Sequence, residues 1–202
     1  MSLEKVSDLP EWLNQKELTR NELEILKEIF PFYVVNTILE GISYRGIKIT
    51  EYGWPDNVWN TGTLKEQLLY AANLTLNSNL FIVDRLENMS DACQMAHLDS
   101  NFYQYREPER IVVYIDSRSN LVLSIFKHIR NALAHGRFVM YPSGDDTIFV
   151  MESVDHSHRD LIVKARMVLR ASTLLKWMEI IKRGPEDVIK RNKTKTIRSH
   201  KH

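Results

Sequence analysis

The stretch from Asn120 to His135 constrains the fold more than any other part of the chain. Val122, Ile125, Phe126, Ile129 and Leu133 form one apolar stripe when the segment is wound as a helix, whereas Ser124, Lys127, His128, Asn131 and His135 fall on the other side. Such a segment must bury one face in a core. Gly136, which has no Cβ and accepts the left-handed conformation, stops the helix at His135. A chain of 202 residues can build one core of this kind and is short for two.

Helical signals dominate elsewhere and predict a mainly α protein. Thr19-Arg20-Asn21-Glu22 is a capping box, in which a hydroxyl and a carboxylate satisfy free amides at a helix start. Leu23, Leu26, Ile29 and Phe30 follow at helical spacing until Pro31 ends the run. A second box, Thr63-Leu64-Lys65-Glu66, opens a pattern (Leu64, Leu68, Ala71, Ala72, Thr75, Ile82, Val83, Leu86) that predicts a core helix to about Glu87. Ser157-His158-Arg159-Asp160 begins a last long helix, with the stripe Leu161, Ala165, Val168, Leu169, Leu175 and Ile181 and a stop at Gly184-Pro185.

The segments between are less regular. From Phe32 to Asn60, glycines and Pro55 predict a loop with a short hairpin, Ile42 to Tyr44 against Ile47 to Ile49. Ile111 to Ile115 is too short for periodicity to separate a buried strand from a helical piece. Phe138 to Tyr141 and Thr147 to Val154, joined by the turn Pro142 to Asp146, read as a β-hairpin. The expected organisation is an N-terminal extension over residues 1–60 packed on the same domain, a helical domain over 61–185, and a basic, disordered tail over 186–202.

Composition excludes several classes. At 44% hydrophobic and 26% charged residues the chain reads as a soluble globular protein, and no apolar run is long enough for a membrane span. A net charge of +1 gives no whole-molecule attraction to nucleic acid, so any such affinity must come from a local patch. The single Cys93 rules out an internal disulfide, and with no apolar leader at the N-terminus a cytoplasmic protein is expected. Phosphate-cradling glycine loops are absent. Asp155, His156, His158 and Asp160 have metal-ligand chemistry, but Ser157 and Asp160 are explained as helix caps, so no metal site is assigned. Gly144-Asp145-Asp146 is a turn, Cys93 a buried structural thiol, and the scattered Trp12, Trp54, Trp59 and Trp177 serve packing.

Chemistry concentrates at the C-terminal end of the segment from Asn120 to His135. Lys127, Asn131 and His135 succeed one another at spacing four and stack along one face, and the long side chain of Arg130 can swing toward it. The partial negative charge of the helix C-terminus favours imidazolium at His135, while Arg130 and Lys127 oppose it. The balance predicts a histidine poised near neutrality, suited to general acid–base catalysis.

The segment Ile129-Arg130-Asn131-Ala132-Leu133-Ala134-His135-Gly136 resembles the signature of HEPN domains (higher eukaryotes and prokaryotes nucleotide-binding), an all-α superfamily. Its motif is Arg, a polar residue that is often Asn, about three further residues, then His; Arg130, Asn131 and His135 match residue by residue. The resemblance covers about eight residues closely and Thr63 to Lys182 in outline, and neither the first 60 residues nor the basic tail. It implies a HEPN-like helical bundle with a small β-hairpin after the motif helix, and a homodimer whose two motifs face one cleft. The activity it implies is that of a cofactor-free, metal-independent endoribonuclease of bacterial defence, abortive infection or a toxin–antitoxin system. His135 is then general base or acid, Arg130 stabilises phosphoryl charge, Asn131 orients His135 or a phosphate, and Lys127 and Arg137 bind RNA. Implied partners are RNA, a second copy, and an antitoxin or other defence protein. HEPN toxins silenced by tyrosine modification carry Tyr two positions after the His, where this chain has Arg137, with Tyr141 the nearest tyrosine. A non-catalytic module holding RNA, a nucleotide or a partner is the alternative.

Overall fold

The computed structural model describes residues 3–6, 17–99, 104, 107–116, 119–155 and 161–185. Among them the chain is α/β, with one six-stranded mixed sheet and five α-helices, which corrects the expected mainly α, HEPN-like helical bundle. The basic tail, and the His156 and His158 weighed as metal ligands, lie outside the described residues.

Two expected helices account for the difference. The pattern from Leu64 to Glu87 divides into α2 (Gly62–Ala71) and strand β2 (Leu80–Val83). Asn73 and Asn77 both take positive φ between the two, a conformation that ends a helix and that Asn tolerates. Helix α2 starts from Thr61 without a side-chain cap, so the box at Thr63 is not used. The stripe from Leu161 to Ile181 divides into strand β6 (Leu161–Arg170) and helix α5 (Ala171–Arg183). Strand β6 is buried on both faces, so apolar residues occupy nearly every position and a helical spacing can be picked out of them.

The remaining strands are β1 (Lys5–Val6), β3 (Arg110–Tyr114), β4 (Phe138–Ser143) and β5 (Asp146–Asp155). They run in the order β2-β3-β6-β5-β4, with β1 adding to the start of β6. Among the strands named, β2 and β3 alone pair in parallel, which requires a crossover, and helix α3 (Met89–Met95) lies on it. The expected hairpin is β4 and β5, and the undecided run after Arg110 is the strand β3. The expected hairpin between Ile42 and Ile49 does not form; turns take its place, with the Ile47 amide donating to the Thr37 carbonyl at 3.2 Å.

Alternation along the strands divides the core into two layers. On one face Met140, Phe149, Met151, Met167 and Leu169 meet α1 (Arg20–Phe30), α2, α4 (Leu121–Ala134) and α5. On the other, Val112, Val139, Val150 and Val168 pack with α3 and with Cys93, whose thiol burial pushes up to about 12 and so leaves inert. The described part of the N-terminal region joins the first layer. Tyr33 Oη donates to the Leu174 carbonyl at 2.8 Å and Trp54 Nε1 to the Ile181 carbonyl at 2.8 Å, each satisfying a buried polar group. Helix α1 carries the predicted capping box, and Pro31 turns it into a π-helical turn, Pro31–Val35. Among the described residues no helix is long and apolar enough to cross a membrane.

Candidate functional site

Helix α4 is fixed at both ends by local chemistry. Asn120 Oδ1 accepts the amides of Val122 at 2.9 Å and Leu123 at 3.4 Å, while its Nδ2 donates to the Trp59 carbonyl. The stripe Val122, Ile125, Phe126, Ile129 and Leu133 lies in the first core layer, as the sequence predicts. At the other end His135 is the C-cap and Gly136 takes φ +66°. The Arg137 amide donates to the Ala132 carbonyl at 2.8 Å and the Gly136 amide to the Leu133 carbonyl at 3.3 Å, the paired bonds of a Schellman motif.

The polar face of α4 opens onto a cavity of about 420 Å³. Lys127, Asn131 and His135, predicted to share a face, line it together with His128. The sheet supplies the opposite wall: Tyr114 and Asp116 from the end of β3, Ser153 and Asp155 from the end of β5, and Lys164 from β6. Lys164 arrives there through a bulge. Ser153 pairs with Ala165 and Val154 with Val163, so Lys164 is the extra residue, and Ala165 and Val163 belong to opposite core layers. A regular strand would have put both on one side.

The cavity holds charges of both signs. Lys164 Nζ lies 3.4 Å from Asp155 Oδ2 and 4.7 Å from the centre of the Tyr114 ring. Lys127 and His135 are exposed at the rim and Asn131 is half-buried. His128 belongs to the wall: it is 6% exposed, its Nδ1 is 2.9 Å from Ser153 Oγ, and it has a hydrogen bond to the main chain of Tyr114. Desolvation, with smaller contributions from Lys127 and Lys164, lowers its pKa to about 4. His128 is therefore neutral at pH 7 and holds α4 to β5, while His135 stands exposed at the rim.

Two expected site residues sit elsewhere. Arg130 does not line this cavity; its Nη1 donates to Asn131 Oδ1 at 3.2 Å, and its buried Nε has no hydrogen-bond partner among the described residues. Arg137, expected to bind RNA, is 5% exposed, on the opposite face of the sheet. Its Nη2 donates to Glu152 Oε1 at 2.5 Å, and Arg166 Nε donates to the other Glu152 oxygen at 2.9 Å. Arg166 also bonds Glu4 at 2.7 Å and the Leu98 carbonyl at 3.0 Å. The correction has a simple cause. Gly136 turns the chain out of the helix, the Glu152 amide donates to the Arg137 carbonyl at 3.0 Å just ahead of β4, and alternation then puts position 137 on the side of Val139, away from the helix.

The sequence reading missed Ser153 and Lys164, and it weighed Asp155 only as a metal ligand. Ser153 lies in the segment Thr147 to Val154, correctly read as strand, and Asp155 closes that strand one residue beyond the expected end; the one available signal was a polar pair at alternate positions closing an apolar run. Lys164 carried the opposite signal, since the expected helix placed it on a solvated face. Among the described residues no group of three or more His, Cys, Asp or Glu could hold a metal ion.

No family model, curated protein or solved structure matches the chain. Its function is therefore argued from the site.

Proposed function

We propose that the protein is a metal-independent endoribonuclease, working in the cytoplasm as a homodimer in a bacterial defence or toxin–antitoxin system, with the cavity beside α4 as its site. The observation that supports this reading is that Lys127, Asn131 and His135 share one cavity with Lys164, on the segment that resembles the HEPN motif.

RNA can be cut without a cofactor because the ribose carries its own nucleophile. The 2′-oxygen attacks the adjacent phosphorus and gives its proton to a base, while the bond to the 5′-oxygen breaks and that oxygen takes a proton from an acid. The products are a 2′,3′-cyclic phosphate and a 5′-hydroxyl. His135 performs one of the two proton transfers, and a second copy of the same histidine across a dimer performs the other. Lys127 and Lys164 hold the phosphoryl oxygens as their charge grows, and Asn131 orients the phosphate. Arg130, bonded to Asn131, is a positioning residue in this arrangement. An antitoxin or another defence protein is the partner that would restrain such an activity.

A module that holds RNA, a nucleotide or a partner without cutting is the second reading, favoured by the position of Arg130 outside the cavity. Incubation of RNA with wild type and His135→Ala in EDTA separates the two. Cleavage by wild type alone, with cyclic-phosphate ends and a loss of at least ~100-fold in the variant, supports the nuclease. RNA binding by both proteins without cleavage by either supports the module.

A further inference from the structure

A second cavity, of about 500 Å³, adjoins the first and shares Ser119, Ser124 and Lys127 with it. Its chemistry is different. Ile42, Leu123 and Trp59 give it an apolar and aromatic wall, and Glu40 and Asp56 place carboxylates at its exposed edge. The two cavities thus form one trough with Lys127 at the join.

We propose that this second cavity is a nucleobase subsite, taking the base of the nucleotide whose phosphate lies beside His135 and Lys127. The inference rests on the ribonucleotide-binding reading above and adds where the base goes. Three observations carry it. First, the trough is divided by polarity as a nucleotide is, with His135 and Lys164 in one half, Lys127 at the join and the aromatic wall of Trp59 in the other. Second, Lys127 at the join is the one cation among the residues that line the second half, so Glu40 and Asp56 there disfavour a phosphate and accept N–H donors from a base edge. Third, Trp59 is anchored. It lies in the 3-10 turn Asp56–Asn60, whose end is tied to the start of α4 by the hydrogen bond from Asn120 Nδ2 to the Trp59 carbonyl. Stacking therefore needs no loop to be ordered on binding. Sequence reasoning assigned Trp59 to packing alone; it is half-buried and does both. Guanine fits this edge best, because its neighbouring ring N–H and amino group match the two oxygens of one carboxylate.

The test compares three probes, guanosine 5′-monophosphate, ribose 5-phosphate and inorganic phosphate, by calorimetry on the full chain. The monophosphate is expected to bind about tenfold more tightly than ribose 5-phosphate. Trp59→Leu and the uncharged Ile42→Ser should remove that advantage and leave ribose 5-phosphate affinity unchanged, while Trp59→Phe, which keeps an aromatic face, should retain most of it. Ile42 is 43% exposed, so its variant reads the subsite even if Trp59→Leu is unstable. Equal binding of guanosine monophosphate and ribose 5-phosphate overturns the base subsite and leaves the phosphate site standing. An advantage that survives both variants overturns its location. Failure of all three probes to bind overturns the ribonucleotide reading itself.

Discussion

The clearest quantitative consequence of the site's construction is an acid sensitivity that the wild-type protein conceals. His128 has a pKa lowered from 6.5 to about 4, chiefly by burial. The unfolded chain therefore binds its proton more tightly than the folded one. Its contribution to stability is complete above pH 6.5 and is lost as pH falls toward 4. At about 1.36 kcal/mol for each pH unit of displacement, the loss between pH 7 and 4.5 is about 2 kcal/mol. Glu109 acts in the opposite sense. Burial raises its pKa from 4.5 to about 7, against the hydrogen bonds it accepts from Thr173 Oγ1 at 2.7 Å and the Arg170 amide at 3.2 Å. Its contribution is complete below pH 4.5 and is lost, by a similar amount of about 2 kcal/mol, as pH rises to 7. The two act in opposite directions across this window, so each masks part of the other in the wild-type curve. Single variants expose them. Urea denaturation from pH 4.5 to 8 is expected to show His128→Gln gaining on wild type by about 2 kcal/mol as pH falls, and Glu109→Gln gaining by as much as pH rises. Reading the pH dependence removes the constant cost of each substitution. A His128→Gln difference that stays within about 0.5 kcal/mol across the range would refute the view that burial holds this imidazole neutral.

Arg137→Met should lower stability by about 3 kcal/mol by denaturant titration, because Glu152 loses one of two buried partners, while RNA or phosphate affinity stays within about twofold. A large loss of affinity with unchanged stability would return Arg137 to the surface role expected from sequence. Gly136→Ala should cost about 1 kcal/mol in thermal or urea unfolding: φ is +66° and a Cβ there meets no atom within 4 Å, so backbone conformation alone is penalised. Lys164→Ala should weaken phosphate binding with little change in fold stability, measured by calorimetry beside thermal melting. The Lys164 and Asp155 side chains are 17% and 31% exposed, so losing the ion pair is expected to cost no more than about 1 kcal/mol.

What was legible in the sequence was written locally. Helix α4 has its start in Asn120, its stripe in five apolar residues and its end in Gly136, all within one segment, and each feature is found as expected. The capping box at Thr19 and the hairpin of β4 and β5 are of the same kind. The sheet was not legible because its central strand does not alternate. A strand covered by helices on one face and by α3 on the other needs apolar residues at nearly every position, and Leu161 to Leu169 then satisfies a helical template as easily as an extended one. Within the site the same division holds. The helix-borne Lys127, Asn131 and His135 were found from spacing, whereas Lys164 depends on a bulge and Ser153 on the register of β5 against β6, neither of which has a local signature.

The sheet does more than carry the second wall of the site; it also insulates it. Glu152 and Ser153 are neighbours in β5, yet one faces the buried arginines and the other the cavity, so the strand separates two polar systems by one backbone thickness. Arg137 and Arg166 are neutralised by Glu152 and Glu4 on the α3 side, which leaves the field in the cavity to Lys127, Lys164, Asp116 and Asp155. That balance is close to neutral, and a phosphate entering it must compete with Asp155 for Lys164. Binding that displaces a carboxylate from a lysine gains less than binding to a free cation, so one copy of this site is a weak phosphate binder by construction. A second copy would bring the same two lysines and two carboxylates, so pairing alone leaves a shared cleft as close to neutral as one site, and any gain in phosphate affinity has to come from freeing Lys164 of Asp155.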